Sequence, residues 1–217
     1  MPNTSASPLD ISFLNIQSYM EHLADHMADN IPHTDVFCFV ETFLKQHQRV
    51  EGELPLPETV AFRADRLSNT RGGGVMTIAG KDLMPTQCLL PELTGLESTA
   101  VVVKKLDTEV NVITVYRPPS MTPAIFLPRM KELLKSLPHQ TLTVIVGDFN
   151  FDLLECPNHK ILDVMKEFGF IQQVQGPTTD YGTLLDHVYI NRETTAEVKI
   201  HDIYYSDHDL LSVSLKI

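Results

Sequence analysis

Cysteine and positive charge are what this sequence has least of. Its 217 residues include three cysteines, Cys38, Cys88 and Cys156, with no CxxC spacing among them. An odd, widely spaced set of thiols in mostly apolar surroundings argues against a disulfide framework or a zinc ribbon, and favours a reducing compartment. Lys and Arg number 17 against 28 Asp and Glu, for a formal net charge of −11. That balance excludes a protein that coats nucleic acid by bulk attraction, but leaves open a grip on one phosphate through a cation and a few local donors. No apolar run approaches the ~18 residues of a membrane span. Residues 1–8 lack the basic and apolar regions of a secretory signal. Internal repeats, low-complexity segments and a GxGxxG nucleotide loop are also missing. The expectation is a soluble intracellular protein with a flexible leader, residues 1–8, and a single domain, residues 9–217.

What is present is an ordinary globular composition, 43% hydrophobic and 21% charged. Strands are predicted over Ile11–Ile16, Val36–Val40 and Val75–Ile78, then a hairpin over Thr99–Lys104 and Val110–Tyr116. Leu142–Val146 reads as a fully buried strand, and Leu185–Ile190, Val198–Tyr204 and Leu210–Leu215 close the chain as strands. Met20, Leu23, Ala24, Met27 and Ala28 mark one amphipathic helix. Phe126, Met130, Leu133, Leu134 and Leu137 mark a second, which Pro128 is expected to start. Ile161, Val164, Met165 and Phe168 mark a third, closed by Gly169. Residues 45–73 read as a long surface loop, with Gly72-Gly73-Gly74 as a flexible lead-in to the next strand. Strands outnumber helices, and helices separate only some of them, which implies a mixed α/β layered sandwich.

The predicted strands end in polar residues again and again. Asn15 ends the first, Glu41 the second and Tyr116 a middle one, while Gly147-Asp148-Phe149-Asn150 follows the most apolar. Asp186 and His187 open a late strand, and Ser206-Asp207-His208-Asp209 separates the last two. A carboxylate at the end of a buried strand is expensive unless it is paired or holds a cation. Turn formation explains any one of these sites, but their recurrence favours a common purpose. An oxygen-rich set containing Glu41, Asp148, Asn150 and Asp207, with Asn15 or Gln17, suits a hard cation such as Mg²⁺. The rival metal motif, His22-Leu23-Ala24-Asp25-His26, lacks the glutamate of HExxH, and the helical pattern places both histidines on the solvated face. His208, between Asp207 and Asp209, suits either a phosphate-binding or proton-moving group or a turn histidine bonded to backbone.

Taken in order, Leu14-Asn15-Ile16, Glu41-Thr42, Tyr116-Arg117-Pro118-Pro119, Gly147-Asp148-Phe149-Asn150, Leu185-Asp186-His187 and Ser206-Asp207-His208 resemble the endonuclease/exonuclease/phosphatase superfamily. The YRPP segment and the SDHD ending are most similar to the apurinic-type endonuclease domain of non-LTR retrotransposons and related mobile elements. The resemblance implies a four-layered α/β sandwich, with two mixed β-sheets packed face to face and helices outside. It implies a Mg²⁺-dependent DNA endonuclease, with Mn²⁺ as a substitute, that nicks one strand to leave 3′-hydroxyl and 5′-phosphate ends. Glu41 would be the principal metal ligand, assisted by Asp207 and Gln17. Asp148 would deprotonate the attacking water, and Asn150 would orient that water or the phosphate. His208, held by Asp186, would bind a non-bridging oxygen, and Tyr116 would serve the leaving oxygen. Asn15 and Arg117 would contact the substrate. Related repair nucleases carry an aspartate where this chain has Gln17. The acidic balance requires a local basic face, for which Arg63, Arg66, Arg71 and Arg117 are candidates. The implied partner is DNA, met in the nucleus by a monomer, and an accompanying reverse transcriptase or helicase domain would lie outside this chain. The same residues would also serve an RNA deadenylase, an inositol-phosphate phosphatase or a sphingomyelinase, and the fold alone would suit a silent binding module.

Overall fold

The computed structural model describes residues 8–48, 50, 58–66, 72–91, 93, 95–138, 140–191 and 194–217. Residues 1–7 of the leader, and residues 49, 51–57 and 67–71 of the segment 45–73, Arg71 among them, lie outside the described residues. In chain order the elements are β1 (Leu9–Asn15), α1 (Tyr19–Ala28), β2 (Val36–Val40), β3 (Thr59–Ala64), β4 (Val75–Gly80), β5 (Thr86–Gln87), β6 (Glu97–Lys105), β7 (Thr108–Tyr116), α2 (Pro123–Ser136), β8 (Leu142–Asp148), α3 (Lys160–Glu167), β9 (Ile171–Gln172), β10 (Asp186–Ile190), β11 (Ala196–His201) and β12 (Leu210–Leu215).

They form two six-stranded mixed sheets, ordered β11-β12-β1-β2-β4-β3 and β5-β6-β7-β8-β10-β9. The two share a plan. Each centres on a parallel pair joined by a helical crossover, β1-α1-β2 in one and β7-α2-β8 in the other. Antiparallel strands flank each pair, β12 and β4 in the first sheet, β10 and β6 in the second. Side chains alternate across each strand, so each sheet contributes to two cores. Val36, Cys38 and Val40 join the core shared with the second sheet, whereas Phe37 and Phe39 pack with Tyr19 of α1. The inter-sheet layer also holds a hydroxyl cluster in which Thr77 lies 2.7 Å from Thr99 and 2.8 Å from Thr114. Helices α2 and α3 cover the far face of the second sheet, with Phe126 edge-on to Phe149. The result is the expected α/β sandwich of two face-to-face mixed sheets.

Several local expectations are corrected. The stretch 45–73 contains β3, a half-buried strand at the edge of the first sheet. Its two faces are equally half-buried, so it lacks the alternation that betrays a strand. Helix α1 is turned from its expected face. Tyr19 and His26 are buried, while Met20, Ala24, Met27 and Ala28 are exposed. His26 therefore leaves the solvated face predicted for it. It shares a hydrogen bond with Tyr205 Oη at 2.9 Å and meets Phe37 and Phe39 edge-on. Helix α2 starts at Pro123, with Pro128 inside it. The carbonyl left without a donor by Pro128 is that of Ala124, which is exposed and open to water. Strand β11 ends at His201 rather than Tyr204. Gly73 and Gly74 are buried and tied down, their carbonyls accepting from Phe43 and Thr42.

Two buried histidines make acid the weak side of this fold. His187 is stacked on Phe149, with Nε2 on the Phe151 carbonyl and Nδ1 on Tyr189 Oη. Burial pulls its pKa down to about 3, and burial pulls His26 to about 4 against the pull of Asp29. Both values lie below the unfolded 6.5. The stability they contribute is complete above pH 6.5 and is lost as pH falls towards the folded values. At about 1.4 kcal/mol per unit, that loss is comparable to the whole stability of a typical domain. Urea midpoints should hence fall steeply below pH 6.5, and His187→Phe should flatten the slope; an unchanged slope in the variant would refute this assignment.

Candidate active site

The alternation that builds the core also aims the polar strand ends. In β1, Leu9, Ile11 and Phe13 face the second sheet, and Asn15 continues that face. In β7 and β8, Thr114 and Val146 face the first sheet, and Tyr116 and Asp148, paired in register, continue their face. Asp186 of β10 lies opposite Asp148 on the antiparallel neighbour. The two parallel pairs both end at one edge of the sandwich, the usual place for a site in sheets of this kind. All these side chains therefore meet between the sheets.

The contacts show how closely they meet. Asn15 Nδ2 donates to Glu41 Oε1 and to Asp148 Oδ2, each at 3.0 Å. Tyr116 Oη reaches across the sheets to Glu41 Oε1 at 2.9 Å. The Asn150 backbone N–H donates to Asp148 Oδ1 at 2.9 Å, so both oxygens of this buried carboxylate are held. His208 Nδ1 lies 2.8 Å from Asp186 Oδ2, which leaves Nε2 turned towards Asp207 Oδ1 at 3.9 Å. Gln17 Nε2 donates to Asp207 Oδ1 at 2.7 Å. Glu41, Asp148, Asn150, Asp186, Asp207, His208, Asn15, Gln17 and Tyr116 are thus linked in one cluster.

Charge is concentrated here with little water to screen it. Burial first, then Asp186, pushes the Asp148 carboxyl up to about 8, although the His208 ring beside it pulls the other way. Burial alone would lower His208, but the Asp186 carboxylate, with Asp148 and Asp207 beyond it, holds the ring at about 9. The Asp186 carboxylate thus favours the charged form of the ring. Burial, then the Glu41 carboxylate, keeps the Tyr116 phenol protonated. Ligand atoms of Asp148, Asp186 and His208 lie within 4.8 Å of one another. Asp186 Oδ1 and Asn15 Oδ1 are buried and accept nothing. Buried oxygens without a donor, beside several carboxylates, suit a hard divalent cation.

The backbone is bent to serve the cluster. Gln17, Ser18, Glu41, Phe43 and Asn150 all have positive φ, a conformation non-glycine residues adopt at a cost. The bend at 41–43 is clamped from both sides. Ser18 N–H and Tyr19 N–H donate to the Glu41 and Thr42 carbonyls, while Thr42 and Phe43 donate to Gly74 and Gly73. A methyl group on Gly74 would meet Thr42 Oγ1 at 2.5 Å, which explains the glycine.

Arg117 is not where the sequence reading puts it. Its guanidinium is buried, donates to the carbonyls of Phe149, Met121 and Asn150, and lies 4.0 Å from the Phe151 ring centre. With those donors spent, Arg117 braces the Asp148–Asn150 turn and offers nothing to a substrate. Arg63 is likewise paired with Asp65 at 2.7 Å and Arg66 with Glu97 at 2.6 Å, so the described arginines do not form the expected open basic face. Two supports had no role assigned from the sequence, although Ser206 belongs to the Ser206-Asp207-His208 motif. Ser206 Oγ donates to the Asn15 carbonyl and accepts from His208 N–H. Thr178 Oγ1 accepts from the Asp186 N–H. Neither role is visible locally, because each depends on backbone that arrives from a distant segment, Asn15 for Ser206 and Asp186 for Thr178.

Known proteins share this fold, and one family shares its sequence pattern. The structure is similar to the endonuclease domain of TRAS1, a telomere-specific non-LTR retrotransposon, with a TM-score of 0.74 and 16% identity over 96% of this chain and 98% of that one. It is similar to the AP endonuclease LMAP of Leishmania major, with a TM-score of 0.74 and 12% identity over 97% and 88% of the two chains. The catalytic domain of human Nocturnin gives a TM-score of 0.63 and 12% identity over 98% and 94%. At such identities these likenesses concern the fold alone. Sequence comparison with curated proteins finds no match. The sequence profile described as "Endonuclease/Exonuclease/phosphatase family" matches residues 13–208, from β1 to His208. The chain belongs to the endonuclease/exonuclease/phosphatase family and carries that family's phosphoesterase fold.

Proposed function

We propose that this protein is a Mg²⁺-dependent phosphodiesterase acting on DNA, an endonuclease of mobile-element origin that cuts one strand and leaves 3′-hydroxyl and 5′-phosphate ends. The observation that carries this reading is the buried Asp148 held on both oxygens beside the Asp186–His208 pair. Asp148 takes the proton of the attacking water, its direction set by the Asn15 amide and the Asn150 N–H. The Asn150 side-chain amide donates to the Arg117 carbonyl at 2.9 Å, leaving Oδ1 to orient that water. His208 Nε2 donates to a non-bridging phosphate oxygen as charge builds there, and Asp186 keeps the ring charged and oriented. Tyr116, protonated, stands by the leaving oxygen. Glu41 and Asp207, with the Gln17 amide fixing Asp207, would hold the cation, which when bound neutralises phosphoryl charge and lowers the pKa of nearby acids. The Tyr116-Arg117-Pro118-Pro119 and Ser206-Asp207-His208-Asp209 segments favour DNA over RNA, inositol phosphates or sphingomyelin.

Supercoiled plasmid with Mg²⁺ should relax to open circles, and EDTA should stop it. A panel of abasic duplex, plain duplex, poly(A) and inositol phosphates separates the substrates. Turnover of poly(A) or inositol phosphate with both duplexes untouched would replace the DNA reading.

A further inference from the structure

Gly73 and Gly74 lead into β4, but a mere linker has no need to be buried as they are. What they pack against explains them. A methyl group on Gly73 would meet Arg66 Cζ at 2.3 Å, so the guanidinium rests directly on this backbone. Arg66 Nε donates to Glu97 Oε1 at 2.6 Å, and Glu97 Oε2 accepts the Gly74 N–H. Glu97 is in turn the partner of Tyr116 in the β6–β7 ladder. The guanidinium is thereby set 5.8 Å from the centre of the Tyr116 ring, within hydrogen-bonding and Coulombic reach of the phenol. Its Nη2 is closed to solvent.

The chemistry of the phenol gives this contact a purpose. Tyr116 Oη has one proton, which Glu41 Oε1 accepts at 2.9 Å. To serve the leaving oxygen of a phosphodiester, that proton must turn from Glu41 towards the substrate. The ring then loses its anchor across the sheets. A guanidinium has donors only, so it holds the phenol through an oxygen lone pair and does not compete for the proton. As the leaving oxygen becomes negative and draws on the O–H, charge moves onto the phenol oxygen. A fixed cation beside that oxygen makes the phenol the better donor.

We infer that Arg66 is a positioning residue for Tyr116, holding the phenol by its oxygen so that its single proton reaches the 3′-oxygen departing from phosphorus. O3′ leaves with the bonding electron pair and takes the phenol's proton. The phenolate, beside Arg66, regains a proton from solvent, to which Asp148 releases the one it took from water. The inference rests on the phosphodiesterase reading and adds to it the group that readies the leaving-oxygen donor.

Changing the leaving atom tests it. Two duplexes carry the position the parent cuts, one with the natural linkage and one with sulfur in place of the bridging O3′. Sulfur departs as a thiolate and needs no proton. With Mg²⁺, Arg66→Met should lower kcat on the oxygen linkage about tenfold or more with KM little changed, and leave the sulfur linkage within about threefold of the parent. Tyr116→Phe should show the same split, and Arg66→Lys should recover part of the loss. Gly73→Ala, which pushes the guanidinium aside without removing it, should reproduce the split. Each variant's sulfur rate reports its folded fraction, so where Arg66→Met misfolds and loses both rates, Arg66→Lys and Gly73→Ala carry the comparison. Equal proportional losses on the two linkages across these variants, or no loss on either, overturn the inference and leave the phosphodiesterase reading standing. A parent that cuts neither linkage overturns that reading, and the inference with it.

Discussion

Asp148→Asn is expected to lower phosphodiester hydrolysis on the order of 10³-fold or more while making the metal-free protein more stable. Both effects come from one observation. The carboxylate is buried, both its oxygens are held, and burial with Asp186 raises its pKa to about 8. An amide in its place keeps the shape and loses the proton acceptor, so catalysis falls. It also removes a carboxyl that burial and Asp186 force to take up a proton in the fold, a gain that outweighs the one of its two accepted hydrogen bonds that the amide NH₂ cannot accept. One pKa unit of relieved strain is worth about 1.4 kcal/mol, and a gain of that size should raise the melting temperature by roughly 2–4 °C in a domain of this length. Initial nicking rates with Mg²⁺ and thermal melting in EDTA measure the two halves separately. Hydrolysis within tenfold of the parent would remove Asp148 from its assigned role. A lower melting temperature would show that the carboxylate is fully compensated in the fold.

Gly147→Ala should be among the most damaging single-methyl additions. Gly147 lies opposite Val115 in the parallel pair β7 and β8. A methyl group there would sit 2.1 Å from the Val115 carbonyl oxygen. The obstruction is backbone in the middle of a ladder, so no side chain can swing aside, and the two strands must part. A cost of about 3 kcal/mol or more follows, and the parting would displace Tyr116 and Asp148, the next pair in the ladder. Gly169→Ala is the matched control. Nothing lies within 4 Å of its added methyl group, and only its φ of +79° opposes the change, for about 1 kcal/mol. Urea midpoints of the two variants should rank accordingly, with nicking lost only in Gly147→Ala. Equal midpoints would mean that the strands accommodate the methyl group.

Burial was easier to read than partnership. Val36–Val40 and Leu142–Val146 announce themselves as strands because runs of apolar residues have few other uses. Strand β3 did not, because an edge strand that is half-buried on both sides has no local signature. Helix α1 was recognised as a helix but turned to the wrong face. The periodicity of its weakly apolar residues pointed one way, whereas the pull of Phe37, Phe39 and Tyr205 on Tyr19 and His26 pointed another. Local hydropathy cannot weigh contacts to the next strand and to a loop near the C-terminus.

The sequence by itself determined which residues could do the chemistry. Asn15, Glu41, Tyr116, Asp148, Asp186 and His208 are legible as polar endings of apolar segments, and strand alternation settles which face each of the strand residues takes. Tertiary structure alone decided that the endings share one edge, that Arg117 braces the Asp148–Asn150 turn, and that Asn15 and Glu41 meet Tyr116 and Asp148 of the other sheet. The reason is physical. A side chain's chemistry and its face are set by its own identity and its neighbours along the strand, but what consumes its hydrogen bonds depends on backbone brought from far along the chain.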